Sequence, residues 1–296
     1  MKKKYAWTAE GLELRGRYLW QDELVPALYR HLGVKPGITI IDVGCGSGFF
    51  TRLFAKGLEG RGKAIGVDID DKLLYSAREL AESEGLLSLM EFKRGSVYRL
   101  PFPDNFADVV VCHTLLYILG EPLRGLREMA RVAKPHGRVV AIEPDYRGCV
   151  IYNPFNEKYD KLAYRVNDAV VGVFKEIYGA DLCIGPKLPT IFAKAQLKQI
   201  EAFGYLLPIS PLAWNRKYSI EELVNYYRKS LPGLTSWSEE EKEAMEKYGI
   251  SREEFEEYLR KTVNRIRYIT QNPQKMRTHL SISMRSFFVV VGKKSG

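Results

Sequence analysis

The residues whose spacing holds the most chemistry run Ile40-Ile41-Asp42-Val43-Gly44-Cys45-Gly46-Ser47-Gly48-Phe49. A β-branched apolar run leads into glycines at alternate positions, and helical spacing follows from 49 to 58. Without Cβ atoms the chain can turn tightly and let a ligand approach its backbone. Free amides at the start of the helix face such a ligand. Dinucleotide sites use G-x-G-x-x-G, whose third glycine packs helix on strand. Phe49 stands at that third position, so the spacing is D-x-G-x-G-x-G and a nicotinamide-dependent dehydrogenase is disfavoured. A second acid, Asp68, follows the apolar run 64–67 in Gly66-Val67-Asp68-Ile69-Asp70. A carboxylate at such a strand end can accept both ribose hydroxyls of an adenosine. Asp70 or Asp71 is the better N-cap for the helix that follows.

Elements must position these groups, and the chain supplies them in alternation. Short buried-type strands are expected at 38–43, 64–67, 89–93, 108–112 and 138–143, with helices at 24–32, 49–58, 71–84 and 123–132. This order predicts a parallel sheet covered by helices on both faces. Beyond Pro144 the pattern changes to a long helix over 157–178, a second helix over 189–203, a strand at 205–209 and a terminal strand at 287–291. Between the last two strands, Ser219 and Glu222, Ser238 and Glu241, and Ser251 and Glu254 have capping-box spacing. The expected organisation is one α/β domain over 1–213 and 281–296, with a helical insertion or lid over 214–280.

Composition narrows the class. The 296 residues are 46% hydrophobic, enough for a sizeable core. No run approaches the roughly 20 apolar residues of a spanning helix, and no apolar segment follows the basic start Met1-Lys2-Lys3-Lys4. A cytoplasmic protein without a membrane span is expected. Cys45, Cys112, Cys149 and Cys183 are scattered, so neither a zinc site nor a disulfide framework is expected. The net charge of +9 comes from 45 basic and 36 acidic residues. It speaks to solubility and steering before it speaks to a site. Abundant Lys, Glu, Tyr and Ile with little Cys and His suits a heat-adapted, thermophilic protein.

The D-x-G-x-G-x-G spacing resembles the first motif of class I S-adenosylmethionine-dependent methyltransferases, and the chain resembles their broad type-11 group. The resemblance implies that Gly44, Cys45 and Gly46 wrap the methionine part of S-adenosyl-L-methionine while Asp42 helps hold its ammonium group. Asp68 would take the ribose hydroxyls, with Ile69 beside it. Gly95-Ser96-Val97 falls where relatives carry Gly-Asp-Ala or similar. Ser96 there offers the adenine amino group a hydroxyl with less charge than a carboxylate, and Val97 offers its amide. The stretches 100–108, 128–132 and 134–138 also match, with His136 where a glycine is usual. The likeness is strong over 24–145, weaker over 180–210 and 283–292, and absent from the insertion. It implies a Rossmann-like, seven-stranded, mostly parallel sheet, S-adenosyl-L-homocysteine as product, and no metal.

Transfer from a sulfonium requires a nucleophile held in line and, at times, a base. The segments Cys112-His113-Thr114-Leu115 and Glu143-Pro144-Asp145-Tyr146 are expected beside that place. His113 is a candidate cofactor contact and base, because histidine titrates near neutrality. Glu143 is a second catalytic candidate. Tyr117 and Tyr146 are candidate substrate walls, and Tyr18 could fold over the methionine end. In the insertion, Trp214 and Arg216 could stack on a planar substrate or hold an anion; amphipathic packing is the alternative. The expected acceptor is an O, N or C nucleophile of a small molecule. An RNA or protein substrate, or a non-catalytic cofactor binder, stands as the alternative. The Asn/Asp-Pro-Pro-Tyr/Phe and Pro-Cys motifs of nucleic-acid base methylation are missing at 112–115.

Overall fold

The computed structural model describes residues 8–20, 22–152, 157–208, 219–222, 224–225, 228–229, 236–275 and 282–296. Trp214 and Arg216 lie outside these residues, and so does the side chain of Tyr18. The strands are β1 (Thr39–Val43), β2 (Lys63–Asp68), β3 (Met90–Arg94), β4 (Ala107–His113), β5 (Ala133–Tyr152), β6 (Lys198–Pro208) and β7 (Ile282–Lys293). They form one sheet in the order β3-β2-β1-β4-β5-β7-β6. The pairs β1–β2, β2–β3, β1–β4 and β4–β5 are parallel. Residues of β1 and β4 are buried almost throughout, as parallel strands covered on both faces must be. β7 runs against β5: the amide of His136 donates to Lys294 O, and that of Lys294 to Gly137 O. The sheet is therefore mostly parallel with one reversed strand.

The helices are α1 (Ala9–Leu19), α2 (Val25–Leu32), α3 (Phe49–Gly57), α4 (Asp71–Ser83), α5 (Pro122–Val132), α6 (Glu157–Tyr178), α7 (Leu188–Lys194), α8 (Glu239–Lys247) and α9 (Arg252–Gln271). The helix expected over 189–203 stops at Lys194. Gln196 takes a left-handed φ of 65°, and the Leu197 amide returns to Phe192 O. That is a helix-terminating turn usually made by glycine, and here no glycine marks it. β6 starts at Lys198 instead of 205. α1, capped by the Thr8 side chain, was not legible as a helix beforehand.

The chain forms two compact units. One comprises Trp7–Pro144, Cys183–Tyr205 and Phe287–Gly296; the other includes Asp145–Leu182 and Leu206–Ser286. In the second unit Val166, Ala169 and Val173 of α6 pack with Ala244 and Met245 of α8, Ile250, and Phe255 of α9. All three capping boxes form, each with the serine accepting from the glutamate amide and the glutamate accepting from the serine amide. In the first unit the parallel strands end together at their carboxyl side, around the β1/β4 neighbours where chain order switches direction. Open α/β sheets bind ligands at that place.

Candidate active site

The glycine loop is built by backbone geometry. Gly44, Gly46 and Gly48 have φ of 74°, 54° and 76°. A Cβ at Gly46 would stand 2.7 Å from Leu12 Cδ1, so α1 lies directly against the loop. The amides of Gly44 and Cys45 donate to Val67 O (2.7 and 3.0 Å), tying the loop to the end of β2. The Gly46 amide donates to Asp68 Oδ2 (2.9 Å), and the Asp70 amide to Asp68 Oδ1 (3.0 Å). Each carboxylate oxygen offers two lone-pair sites, so Asp68 keeps capacity for two hydroxyl donors. Asp70 caps α4 by accepting from the amides of Lys72 and Leu73. Ile69, next to Asp68, is 58% exposed although large and apolar. Such a residue suits the face of a planar ligand.

Asp42 is buried at the end of β1, and the Thr51 hydroxyl donates to its Oδ2 (2.6 Å). Burial pushes its carboxyl up to about 7; the Thr51 bond opposes this and the charge of Asp68 adds to it. Ser96 follows β3, and its hydroxyl oxygen accepts from the Tyr98 amide (3.2 Å), which leaves its hydroxyl hydrogen free to turn outward. Val97 is buried beside it.

His113 ends β4. The Trp20 indole Nε1–H donates to its Nε2 (3.1 Å), and Thr114 Oγ1 faces its Nδ1 at 3.2 Å. An indole N–H can only donate, so Nε2 is an acceptor and the ring proton sits on Nδ1. Phe50, 4.1 Å between ring centres, and Phe287 flank the ring. Burial first, and the charge of Arg15 second, hold its pKa well below the usual histidine range. The lone pair that a base would use is therefore occupied, and the ring is neutral.

Glu143 is fully buried on β5. Its Oε1 accepts from the amides of Leu115 (2.9 Å) and Leu116 (2.7 Å), bracing the turn that follows β4. Burial raises its carboxyl to about 7 against the pull of those amides. Oε2 has no hydrogen-bond partner. In this arrangement Glu143 orients backbone. Tyr117, in the same turn, has its ring buried. In the other unit, Tyr146 on β5 carries the Arg285 guanidinium 3.8 Å from its ring centre.

Sequence reasoning missed a buried polar network. Glu13 on α1 accepts from the Ser47 hydroxyl (2.6 Å) and pairs with Arg52 (2.5 Å). Arg52 also donates to Ser47 O (2.9 Å) and pairs with Glu84 (2.8 Å). Only 4% of the Arg52 side chain is exposed, so an arginine lies on the inner side of a helix that otherwise buries Phe50, Phe54 and Ala55. An arginine at an apolar helical position was the available signal. Its partner on α1 had none.

The set now comprises a glycine cradle, a strand-end carboxylate with spare acceptor sites, an exposed isoleucine and a free serine hydroxyl. It fits an adenosine with an amino-acid tail: the cradle admits a ligand against backbone, and Asp68 can receive hydroxyls. Residues 41–141 match the family model described as "Methyltransferase domain". Over that stretch the chain is similar to class I S-adenosylmethionine-dependent methyltransferases. It is 36% identical over 150 residues to an uncharacterized methyltransferase of Schizosaccharomyces pombe, covering 49% of this chain and 53% of that one. It is 32% identical over 134 residues to the ubiquinone/menaquinone biosynthesis C-methyltransferase UbiE of Salmonella arizonae, covering 45% and 52%. The chain thus spans about half the length of the curated relatives it matches. The solved YcgJ protein from Bacillus subtilis shares the fold, with a TM-score of 0.52 at 18% identity over 93% of this chain and 100% of that one. Among the described residues no helix is long and apolar enough to cross a membrane, and no His, Cys, Asp and Glu group has the geometry of a metal site.

Proposed function

We propose that this protein transfers the methyl group of S-adenosyl-L-methionine to an O, N or C nucleophile of a small molecule in the cytoplasm. The observation that carries the reading is the Gly46 amide held on Asp68, which joins the glycine cradle to a carboxylate with two acceptor sites to spare. The methyl arrives on a sulfonium, already electrophilic, so the protein's work is binding, alignment and exclusion of water.

In this reading Asp68 accepts from the ribose hydroxyls and Ile69 covers one face of the adenine. Ser96 and the Val97 amide meet its edge. Gly44, Cys45 and Gly46 line the amino-acid tail, with Asp42 behind them. His113 acts as a neutral wall and positioning group, because Trp20 occupies its Nε2. Glu143 shapes the turn at Leu115 and Leu116. The likeness to a quinone-pathway C-methyltransferase supports a small acceptor. In the glycine-loop unit this reading gives the acceptor Tyr117 as a wall; the expected contacts Trp214 and Arg216 lie outside the described residues.

The test is incubation with methyl-labelled S-adenosylmethionine and a cell extract, followed by counting of small-molecule, protein and RNA fractions. Label in small molecules is the expected result. Label in RNA or protein would replace the acceptor class. Cofactor binding with no transfer to any fraction would favour a non-catalytic binder.

A further inference from the structure

Many charged side chains of the helical unit are paired. Arg147 meets Asp168, Arg165 meets Glu254, Lys247 meets Glu176 and Arg252 meets Glu239. Arg285 on β7 differs. Its guanidinium lies over the Tyr146 ring of β5, and its Nε is withdrawn from solvent without a hydrogen-bond partner. Among the described residues no carboxylate forms an ion pair with it. Stacking on an aromatic ring holds a guanidinium in place without spending its N–H donors. A donor kept from water and left unspent, as Nε is here, costs free energy until a ligand completes it.

Tyr258 stacks on Tyr159 at 5.7 Å, and the Tyr159 hydroxyl is bonded to Thr262 (2.8 Å). The positive charge of Arg285 acts on both the half-buried Cys149 thiol and the partly buried Tyr258 phenol. Asp145 acts on Cys149 with opposite sign, and its Oδ1 accepts from the Arg147 amide (3.1 Å). The two strands are pinned together here. The Ser286 hydroxyl donates to Gly148 O, and a Cβ at Gly148 would collide with Ser286 Oγ. That contact fixes the register that brings Arg285 to Tyr146.

We propose that Arg285, stacked on Tyr146, receives an oxyanion ligand, a carboxylate or a phosphate, through its planar fork of N–H donors. The anion site does not rest on the methyltransferase reading above. A guanidinium fork matches either anion with two parallel hydrogen bonds.

The experiment is calorimetric titration of the full chain with benzoate, with phenyl phosphate and, separately, with S-adenosylhomocysteine. Wild type, Arg285→Met, Arg285→Lys and Tyr146→Leu are compared. One of the two anions should bind wild type saturably and roughly tenfold more weakly or worse to Arg285→Met. Arg285→Lys should recover only part of that loss, because an ammonium keeps the charge without the fork. S-adenosylhomocysteine affinity should be unchanged, which also shows that the variants fold. The stronger of the two anions identifies the ligand's charged group. Saturable binding of neither anion at millimolar concentration, or equal binding by Arg285→Met, overturns the proposal. Arg285-dependent anion binding in a chain that binds no S-adenosylhomocysteine supports the anion site and overturns the methyltransferase reading instead.

Discussion

Among the described residues the two units bury charge to different extents, Glu13, Asp42, Arg52 and Glu143 in the glycine-loop unit against Glu241 in the helical one. In the glycine-loop unit, Glu13, Asp42, Arg52 and Glu143 are buried, and each has a defined hydrogen-bonding task. In the helical unit the core of α6, α8 and α9 is apolar and aromatic, while pairs such as Arg165–Glu254 and Lys247–Glu176 stand exposed. A buried charge raises the energy of every arrangement but the one that satisfies it. The first unit therefore uses polar groups to hold a single loop geometry. The second uses apolar area for cohesion, which tolerates substitution more readily at its surface.

The sharpest way to break this comparison is Arg52→Met. It strands Glu13 and loosens the Ser47 carbonyl, and loss of one partner from a buried pair costs roughly 3–5 kcal/mol. Urea denaturation of the variant should show a loss of that order. A loss under about 1 kcal/mol would place the network with ordinary surface pairs. Next in size is Asp68→Ala, expected to weaken S-adenosylhomocysteine binding by roughly 1.5–3 kcal/mol, the scale of hydrogen bonds to a charged group. Unchanged affinity in calorimetry would remove Asp68 from the ribose.

The third prediction concerns pH. Glu143 has an ordinary value of 4.5 and burial raises it to about 7 in the folded chain; Asp42 moves the same way, from 3.8 to about 7. Between those limits the folded state holds protons that the unfolded state has released. The stability these groups contribute is full at acid pH and is lost as the pH rises to about 7. The denaturation midpoint should therefore fall over that window. Glu143→Gln, which still accepts from the Leu115 and Leu116 amides, should flatten the fall. Glu143→Ala should instead cost roughly 1–3 kcal/mol at all pH values by stranding those amides. A pH profile identical in wild type and Glu143→Gln would show that Glu143 does not titrate there. The smallest effect is expected from Arg165→Ala on the exposed helical surface, where the urea midpoint should stay within the scatter of wild-type replicates.

The β1–loop–α3 segment and the acidic end of β2 were legible because their signals are local: apolar runs, alternate glycines, an acid at a strand end. The capping boxes were legible for the same reason, each spanning four residues. His136 stands in the chain where a glycine is usual, and its φ of 61° explains why. The end of α7 was not legible, because Gln196 adopts the left-handed turn without the residue that announces it. The lengths of β5 and β7 were also underestimated: 138–143 became Ala133–Tyr152, and 287–291 became Ile282–Lys293. A strand continues for as long as a neighbour pairs with it, whatever its apolar pattern.

The sequence by itself determined the cofactor side of this protein, since a glycine's conformational freedom and a carboxylate's place at a strand end are properties of a few adjacent residues. Tertiary structure decided what the remaining polar groups do. Trp20 sets the tautomer of His113 from 93 residues away. Glu13 reaches Ser47 and Arg52 across 34 and 39 residues. Glu143 braces a turn 27 residues earlier, and Arg285 meets Tyr146 only because β7 pairs with β5. Local sequence rules reach about one helical turn or one strand pair. Protonation, burial and the choice of partner depend on contacts that exist only once the sheet has formed.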